Sequence, residues 1–367
     1  MSDIMRHEVL PGPNCYGSLR ALGVSEEHAR LWSRLGPRMR GTLRVKANVA
    51  IWEVHRELSA HLRIAGWSVI ENGDHNLVAP VEPVLAELID DVIAQLEETG
   101  FPLLKADAKQ GDSLFEDLLD ARGFTRLGDV GSPYPLENES EEPHSGWLLW
   151  NHAYAEQMEG IIIPPYERQK TDFTCGAASA LMTLGQTCSC ADQSLVDEMV
   201  LWRDATYSLG IGHFGLATVL AQRGASVKVI TNHEGPIVGV SRTSFLGKNA
   251  RTAVHAEHMK SANELGVSSQ VRDMTVEDVT HALDEGHHVL PLVDLAPLNG
   301  EDTPHWILIW GALGDYLLIH DPWYDDEFGE TWLETYSQAM HRSDLWAAAQ
   351  WNDEGEHRVM LTVRTFR

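Results

Sequence analysis

The sequence predicts a two-domain chain, an N-terminal α/β domain over residues 1–145 followed by an α+β domain over residues 146–367. Three observations carry this reading. A chain of 367 residues exceeds what one core ordinarily serves and suits about two domains of roughly 100 to 200 residues. Residues 131–146, GSPYPLENESEEPHSG, combine Pro, Ser, Glu and Gly without apolar periodicity, which is the composition of a linker or exposed loop. After that break, helical patterns come first and strand patterns last, the segregation expected of α+β rather than the alternation of α/β.

In the first half, Ser25-Glu-Glu-His opens like a capped helix and residues 41–52 alternate like a strand. Residues 83–98 place Val84, Leu85, Leu88, Ile89, Val92, Ile93 and Leu96 at spacings of three and four, an amphipathic helix. A short strand at 101–104 and a helix at 113–121 stopping at Gly123 complete this half. In the second half, residues 175–184 are strong helix formers, so a helix should start at or just after Cys175. Ser194-x-x-Asp197 caps a second helix, residues 214–223 form a third, and 227–230 read as a strand. Thr275-x-x-Asp278 caps a further helix ending at Gly286, and 289–293, 305–310 and 316–320 read as successive strands.

Composition excludes several classes of function. There are 54 acidic against 28 basic side chains, a formal charge of −26 that repels a phosphate backbone, so no nucleic-acid partner is expected. No apolar stretch reaches a membrane span and residues 1–8 do not form a signal peptide, so a soluble, cytoplasmic protein without a membrane partner is expected. Four cysteines are too few for a disulfide framework. Cys188-Ser-Cys190 lacks a companion pair at zinc spacing, so neither a metal nor a cofactor is expected.

The chemistry concentrates in Gln169-Lys-Thr-Asp-Phe-Thr-Cys175-Gly176. A lone cysteine is most often a small buried apolar residue, but one at the first helical turn meets the positive end of the helix dipole and unpaired N–H groups, which favour thiolate. Gly176 would let a substrate carbonyl approach the backbone. Gln169 would add an amide N–H to that of Cys175 for a developing oxyanion. A base is supplied by His305, at the head of an apolar strand in Pro-His-Trp-Ile-Leu-Ile-Trp-Gly. Two antiparallel strands turning near 311–315 would bring Asp321, at the exit of the second, beside His305. The carboxylate would then hold one tautomer of the imidazole and support its charged form.

These segments, "QKTDFTCGAASALM", "HFGLATVLAQRGASVKV" and "HWILIWGALGDYLLIHDP", resemble the papain-like cysteine peptidases, in particular the C39 family and its C39-like relatives. The resemblance spans about residues 160–330 and implies Cys175 as nucleophile, His305 as general base and acid, Asp321 as orienter and Gln169 in the oxyanion hole. It implies a peptide or peptidyl natural product as substrate, reached through a thioester. The same thioester would support acyl transfer, and a catalytically silent peptide-binding module is the reading from another class. Two departures stand out: Thr174 occupies a position where the family often has Asp, and residues 231–272, with an amphipathic run at 249–265, are longer than a minimal core needs. The family's exporter-linked members carry membrane segments that this sequence lacks, so their Gly-Gly specificity is not implied. In the first half, "GFPLLKADAKQGDSLFEDLLDARGFTRLG" resembles the last helix and strand of the GNAT acetyltransferases, without their pyrophosphate-cradling turn; an accessory or substrate-recognition role is the expectation there.

Three other signals are set aside. Gly210-Ile-Gly-His-Phe-Gly215 matches a dinucleotide fingerprint but follows no strand. His287-His288 reads as a surface turn. The twelve tryptophans are mostly core, with Trp306 the one expected to wall a substrate cleft. The oligomeric state is not legible.

Overall fold

The computed structural model describes residues 3–70, 80–130, 144–185, 191–206, 210–239 and 244–365. Cys188 and Cys190, and residues 131–143 of the expected linker, lie outside them. The chain forms two compact units, one of Met1–Ile161 with Tyr324–Glu334, the other of Ile162–Trp323 with Thr335–Arg367.

The first unit runs β1 (Met5–Val9), α1 (Cys15–Ala21), α2 (Glu26–Trp32), β2 (Met39–Lys46), β3 (Val49–Arg56), β4 (His61–Val69), α3 (Val81–Thr99), β5 (Leu103–Lys109), α4 (Ser113–Asp120), β6 (Thr125–Val130), β7 (His144–Trp150) and α5 (His152–Met158). Its sheet has the order β1-β2-β3-β4-β5-β7-β6, antiparallel except for β4 beside β5. Because β7 pairs with both β5 and β6, the unit cannot end at the expected residue 145. Strand β3 shows why its first four residues, Val49 to Trp52, are all apolar. Val49 and Ile51 pack with Leu85, Leu88 and Val92 of α3, while Ala50, Trp52 and Val54 pack with Leu19 and Trp32 of α1 and α2, so both sheet faces are covered. Residues 41–52, expected as one strand, are a hairpin. Lys46 pairs with Val49, and Ala47 takes the left-handed conformation (φ 51°) in place of the usual glycine.

The interior of this unit also holds charge. Parallel pairing sets Arg63 of β4 against Lys105 of β5, two buried cations side by side. The segment Tyr324–Glu334 supplies the counter-charge: Glu334 pairs with Arg63 at 2.8 Å and with His61 at 3.1 Å, and Glu330 pairs with Arg56 at 2.8 Å. Lys105 Nζ donates to the Glu334 carbonyl at 2.9 Å and Arg63 also pairs with Asp107 at 2.8 Å. Burial, with Arg63 and Arg56 adding to it against the pull of Glu334, brings Lys105 down to about 7. Burial opposes ionisation of Glu334, yet Arg63, His61 and Lys105 outweigh it and hold the carboxyl below its ordinary range. Removing one member of such a buried set leaves its partners uncompensated. We therefore expect Glu334→Gln to destabilise this unit by about 3 to 5 kcal/mol in urea unfolding of the whole chain. A change below about 0.5 kcal/mol, the size of a surface substitution, would contradict the clamp.

The second unit runs α6 (Cys175–Leu184), α7 (Ala191–Ala205), α8 (His213–Gln222), β8 (Ser226–Thr231), α9 (Phe245–Glu264), β9 (Ser268–Val271), α10 (Val276–Asp284), β10 (His288–Asp294), β11 (Pro304–Trp306), β12 (Leu308–Leu313) and β13 (Tyr316–His320). After α11 (Trp332–Thr335) come β14 (Gln338–His341), α12 (Arg342–Ala348), β15 (Trp351–Asn352), β16 (Glu356–His357) and β17 (Val359–Arg364). The sheet order is β14-β13-β12-β10-β17-β8-β9, with β11 on β10, so helices do precede most strands. A capping box of Thr275 and Asp278 starts α10, as the sequence predicts. His288, expected in a turn, instead opens β10. The expected strand 305–310 is broken at Ile307, which faces Pro291 in the register fixed by Leu292↔Trp306 and Val289↔Ile309. Proline has no N–H to give that rung of the ladder. Among the described residues no helix is long and apolar enough to cross a membrane.

Candidate active site

Helix α6 is apolar all round, and residues 175–183 are buried, which seats Cys175 at its first position against the sheet. Thr174 is the N-cap, and Ala178 N–H is the one that reaches back to the Thr174 carbonyl, at 3.0 Å. The N–H groups of the turn before it, that of Cys175 included, lack an intrahelical acceptor. One bond fixes the helix to β11, Ser179 Oγ donating to the Trp306 carbonyl at 3.0 Å, and Trp306 Nε1 in turn donates to the Ile211 carbonyl, ahead of α8, at 2.9 Å.

The hairpin of β12 and β13 pairs Leu308 with His320 and so places His305 and Asp321 at the same end. His305 Nε2 lies 2.7 Å from Asp321 Oδ1, with both side chains buried. Asp321 is itself fixed. Its Oδ1 accepts from Trp323 N–H at 2.9 Å, its carbonyl accepts from Tyr166 Oη at 2.9 Å, and its N–H donates to Thr335 O at 3.2 Å. With Nε2 engaged, Nδ1 is the ring nitrogen that remains, and Cys175 lies near enough to favour the charged ring. Burial alone would depress the imidazole. The charge of Asp321 and its hydrogen bond, joined by the contact with Cys175, overcome this and raise it to about 10.

Cys175, His305, Gln169, Trp306, Trp323 and Arg251 share the wall of one cleft of about 480 Å³. Cys175 is 8% exposed there. Gln169 N–H donates to the Pro322 carbonyl at 2.9 Å, tying the residue to the turn after Asp321. One Nε2 hydrogen is spent on the Thr171 carbonyl at 2.7 Å, and Oε1 is buried without a protein partner among the described residues. Gly176 requires a correction. It does not line the cleft, and its Cα faces Trp306 and Ile211, where an added Cβ would sit 3.1 and 3.3 Å from their side chains. Glycine here permits helix and strand to meet closely, and the sequence reading of it as a gap for substrate does not hold. Trp306 does line the cleft, though at 1% exposure most of its ring is core.

Sequence reasoning missed Glu198. From α7 its carboxylate accepts from Lys170 N–H at 2.8 Å and from the Thr174 hydroxyl, so it holds both ends of the loop that delivers Cys175. Burial raises its pKa, against the hydrogen bonds from Thr174 and Lys170. Thr174, the departure from the family pattern, is thus the residue that meets this carboxylate. The available signal was spacing: Leu201 and Ala205, three and seven residues on, are buried on the same helical face. The Gly210–Gly215 match forms no phosphate cradle; Gly212 is the N-cap of α8.

Comparison with known proteins adds two findings. Among curated proteins none matches this sequence. Solved structures with a similar arrangement over the N-terminal part include the ribosomal-protein-S18-alanine N-acetyltransferase from Escherichia coli, 13% identical over 40% of this chain and 94% of that one, with a TM-score of 0.28. The IAA acetyltransferase from Bacillus cereus is 11% identical over 40% and 99%, with a TM-score of 0.27. A GNAT family acetyltransferase from Elizabethkingia anophelis with acetyl-CoA bound is 15% identical over 41% and 99%, with a TM-score of 0.28. The model of the Peptidase_C39 like family matches residues 164–363, which include every residue of the cleft named above. The chain belongs to the Peptidase_C39 like family.

Proposed function

We propose that the second unit is a papain-like cysteine amidase that hydrolyses a peptide or peptidyl substrate through a thioester. One observation supports it above the rest: a buried imidazole held at 2.7 Å by a fixed carboxylate, beside a helix-initiating cysteine that favours its charged form, with ring and cysteine both lining one cleft. In this reading the pair is thiolate and imidazolium. Cys175 Sγ attacks the scissile carbonyl, and the Cys175 N–H with the second Nε2 hydrogen of Gln169 receives the negative oxygen. His305 Nδ1 gives its proton to the departing amine, leaving a thioester. It then takes a proton from the attacking water, and collapse of the second intermediate restores the thiolate and releases the acid. Asp321 keeps the ring oriented throughout, as a positioning residue. The first unit is assigned an accessory or substrate-recognition role, in keeping with an ionisable interior closed by its own ion pairs.

The test is intact-mass analysis of iodoacetamide labelling at neutral pH. Cys175 should be alkylated well before Cys15, whose thiol burial pushes up to about 11. The difference should collapse in His305→Ala. Equal, slow labelling of the two cysteines would favour the silent peptide-binding module. Product analysis with added amines separates hydrolysis from acyl transfer, which would yield the new amide.

A further inference from the structure

The cleft carries a cation that the proposed chemistry does not use. Arg251, from α9, is half-buried and stands where the cleft meets an adjoining chamber of about 270 Å³, lining both. Its guanidinium is laid on the backbone of the stretch ahead of α9. Nη1 donates to the Val238 carbonyl at 3.2 Å. Gly239, which also lines the cleft, lies so close that an added Cβ would sit 2.9 Å from Nη2 and 3.0 Å from Cζ. Its φ of 68° is left-handed as well, so both the contact and the backbone call for glycine there.

What that seating leaves open decides the guest. Nε and Nη2 have no protein partner among the described residues, and both reach solvent. Their hydrogens leave the planar group along one edge, the fork that meets the two oxygens of a carboxylate. Elsewhere the chain spends its buried arginines on its own acids: Arg44 on Glu53, Arg56 on Glu330, Arg63 on Glu334 and Asp107. With 54 acidic against 28 basic side chains, Arg251 is not left open for want of acids. Asp172 and Glu301, the acids at the same cleft, are exposed, and neither forms an ion pair with it. An amide side chain would offer the fork one acceptor oxygen and no charge, and an ammonium would be repelled. The formal charge of −26 does not bar an acidic guest, because exposed charges are screened beyond about 8 Å at physiological salt, whereas a partly buried contact is screened much less. We propose that Arg251 is the specificity anchor of the Cys175 cleft and takes a carboxylate of the peptide substrate, from an Asp or Glu side chain or from a chain terminus, on its Nε–Nη2 edge. The proposal rests on the cysteine amidase reading for its link to catalysis, and on the seating of Arg251 alone for its ligand.

Peptidyl vinyl sulfones carrying Glu, Asp, Gln or Asn at each position in turn, and others ending on the sulfone side in a carboxylate or a carboxamide, test it through the rate of covalent capture of Cys175. At one place along the probe the acid should exceed its amide by about tenfold or more, the scale of a hydrogen-bonded charge. A side-chain position identifies Asp or Glu as the source, and the sulfone side identifies a chain terminus. Arg251→Gln should make acid and amide equal, and Arg251→Lys, which keeps the charge without the fork, should restore part of the preference. Circular dichroism reports whether each variant is folded. No advantage of acid over amide at any place, or an advantage that survives Arg251→Gln, overturns the anchor. Iodoacetamide labelling of the unaltered protein reads the catalytic assignment separately. If Cys175 proves inert, calorimetry decides the subsite with blocked tripeptides that hold a single carboxylate, in a side chain or at the terminus, against their amides. Acid binding that is lost in Arg251→Gln supports it, and equal or absent binding overturns it.

Discussion

Cys175→Ala should abolish hydrolysis, and His305→Ala should lower kcat/KM by about ten-thousand-fold, the scale seen when one member of a nucleophile–base unit is removed. The two losses should not add in the double variant, because each disables the same step. The His305 variant also leaves Asp321 buried beside an apolar methyl, so a far-UV spectrum and a thermal midpoint must accompany the kinetics. Retention of more than a tenth of the activity by either variant in a folded state would remove the pair from the mechanism.

Asp321→Asn carries the second large effect, and its sign follows from the forces on the ring. Burial depresses His305, while the charge and hydrogen bond of Asp321, with Cys175, lift it to about 10. The imidazolium therefore persists through neutral pH and is lost as pH rises through 10, which places the alkaline limb of kcat/KM there. Asparagine takes away the charge and leaves the burial. The limb should move down by several units, toward or below the ordinary histidine value of about 6.5, and kcat at pH 8 should fall by up to about ten-thousand-fold. A limb that stays near 10 would show that something other than Asp321 holds the proton.

The parts of the site legible in the sequence were those fixed by local rules. Helix-forming residues after Cys175 dictate where α6 begins, and the turn between β12 and β13 forces His305 and Asp321 to one end, whatever the rest of the chain does. The family resemblance pointed to the same residues. What stayed hidden depends on contacts that no local rule encodes. Gly176 looked like an opening for substrate because the ring of Trp306, 130 residues away in sequence, had not yet been placed against it. Glu198 went unremarked because its role depends on which face of its helix is buried, and the sequence around it is rich in acids. Ala47 hid a hairpin, since alanine seldom takes the left-handed conformation that the turn uses. Arg63 and Lys105 meet only because a parallel strand pair puts them side by side in the interior, which no local pattern announces.

Tyr324–Glu334 begins three residues after Asp321, in the stretch of sequence that codes for the cleft, yet it folds with Met1–Ile161. A gene fragment stopping at 161 would make a protein whose Arg63 and Lys105 face each other with Glu330 and Glu334 missing, and one starting at 162 would carry an acidic stretch with nowhere to bind. The polypeptide is braided rather than strung. The chain passes from one unit to the other three times, after 161, 323 and 334, so a single cut does not part them.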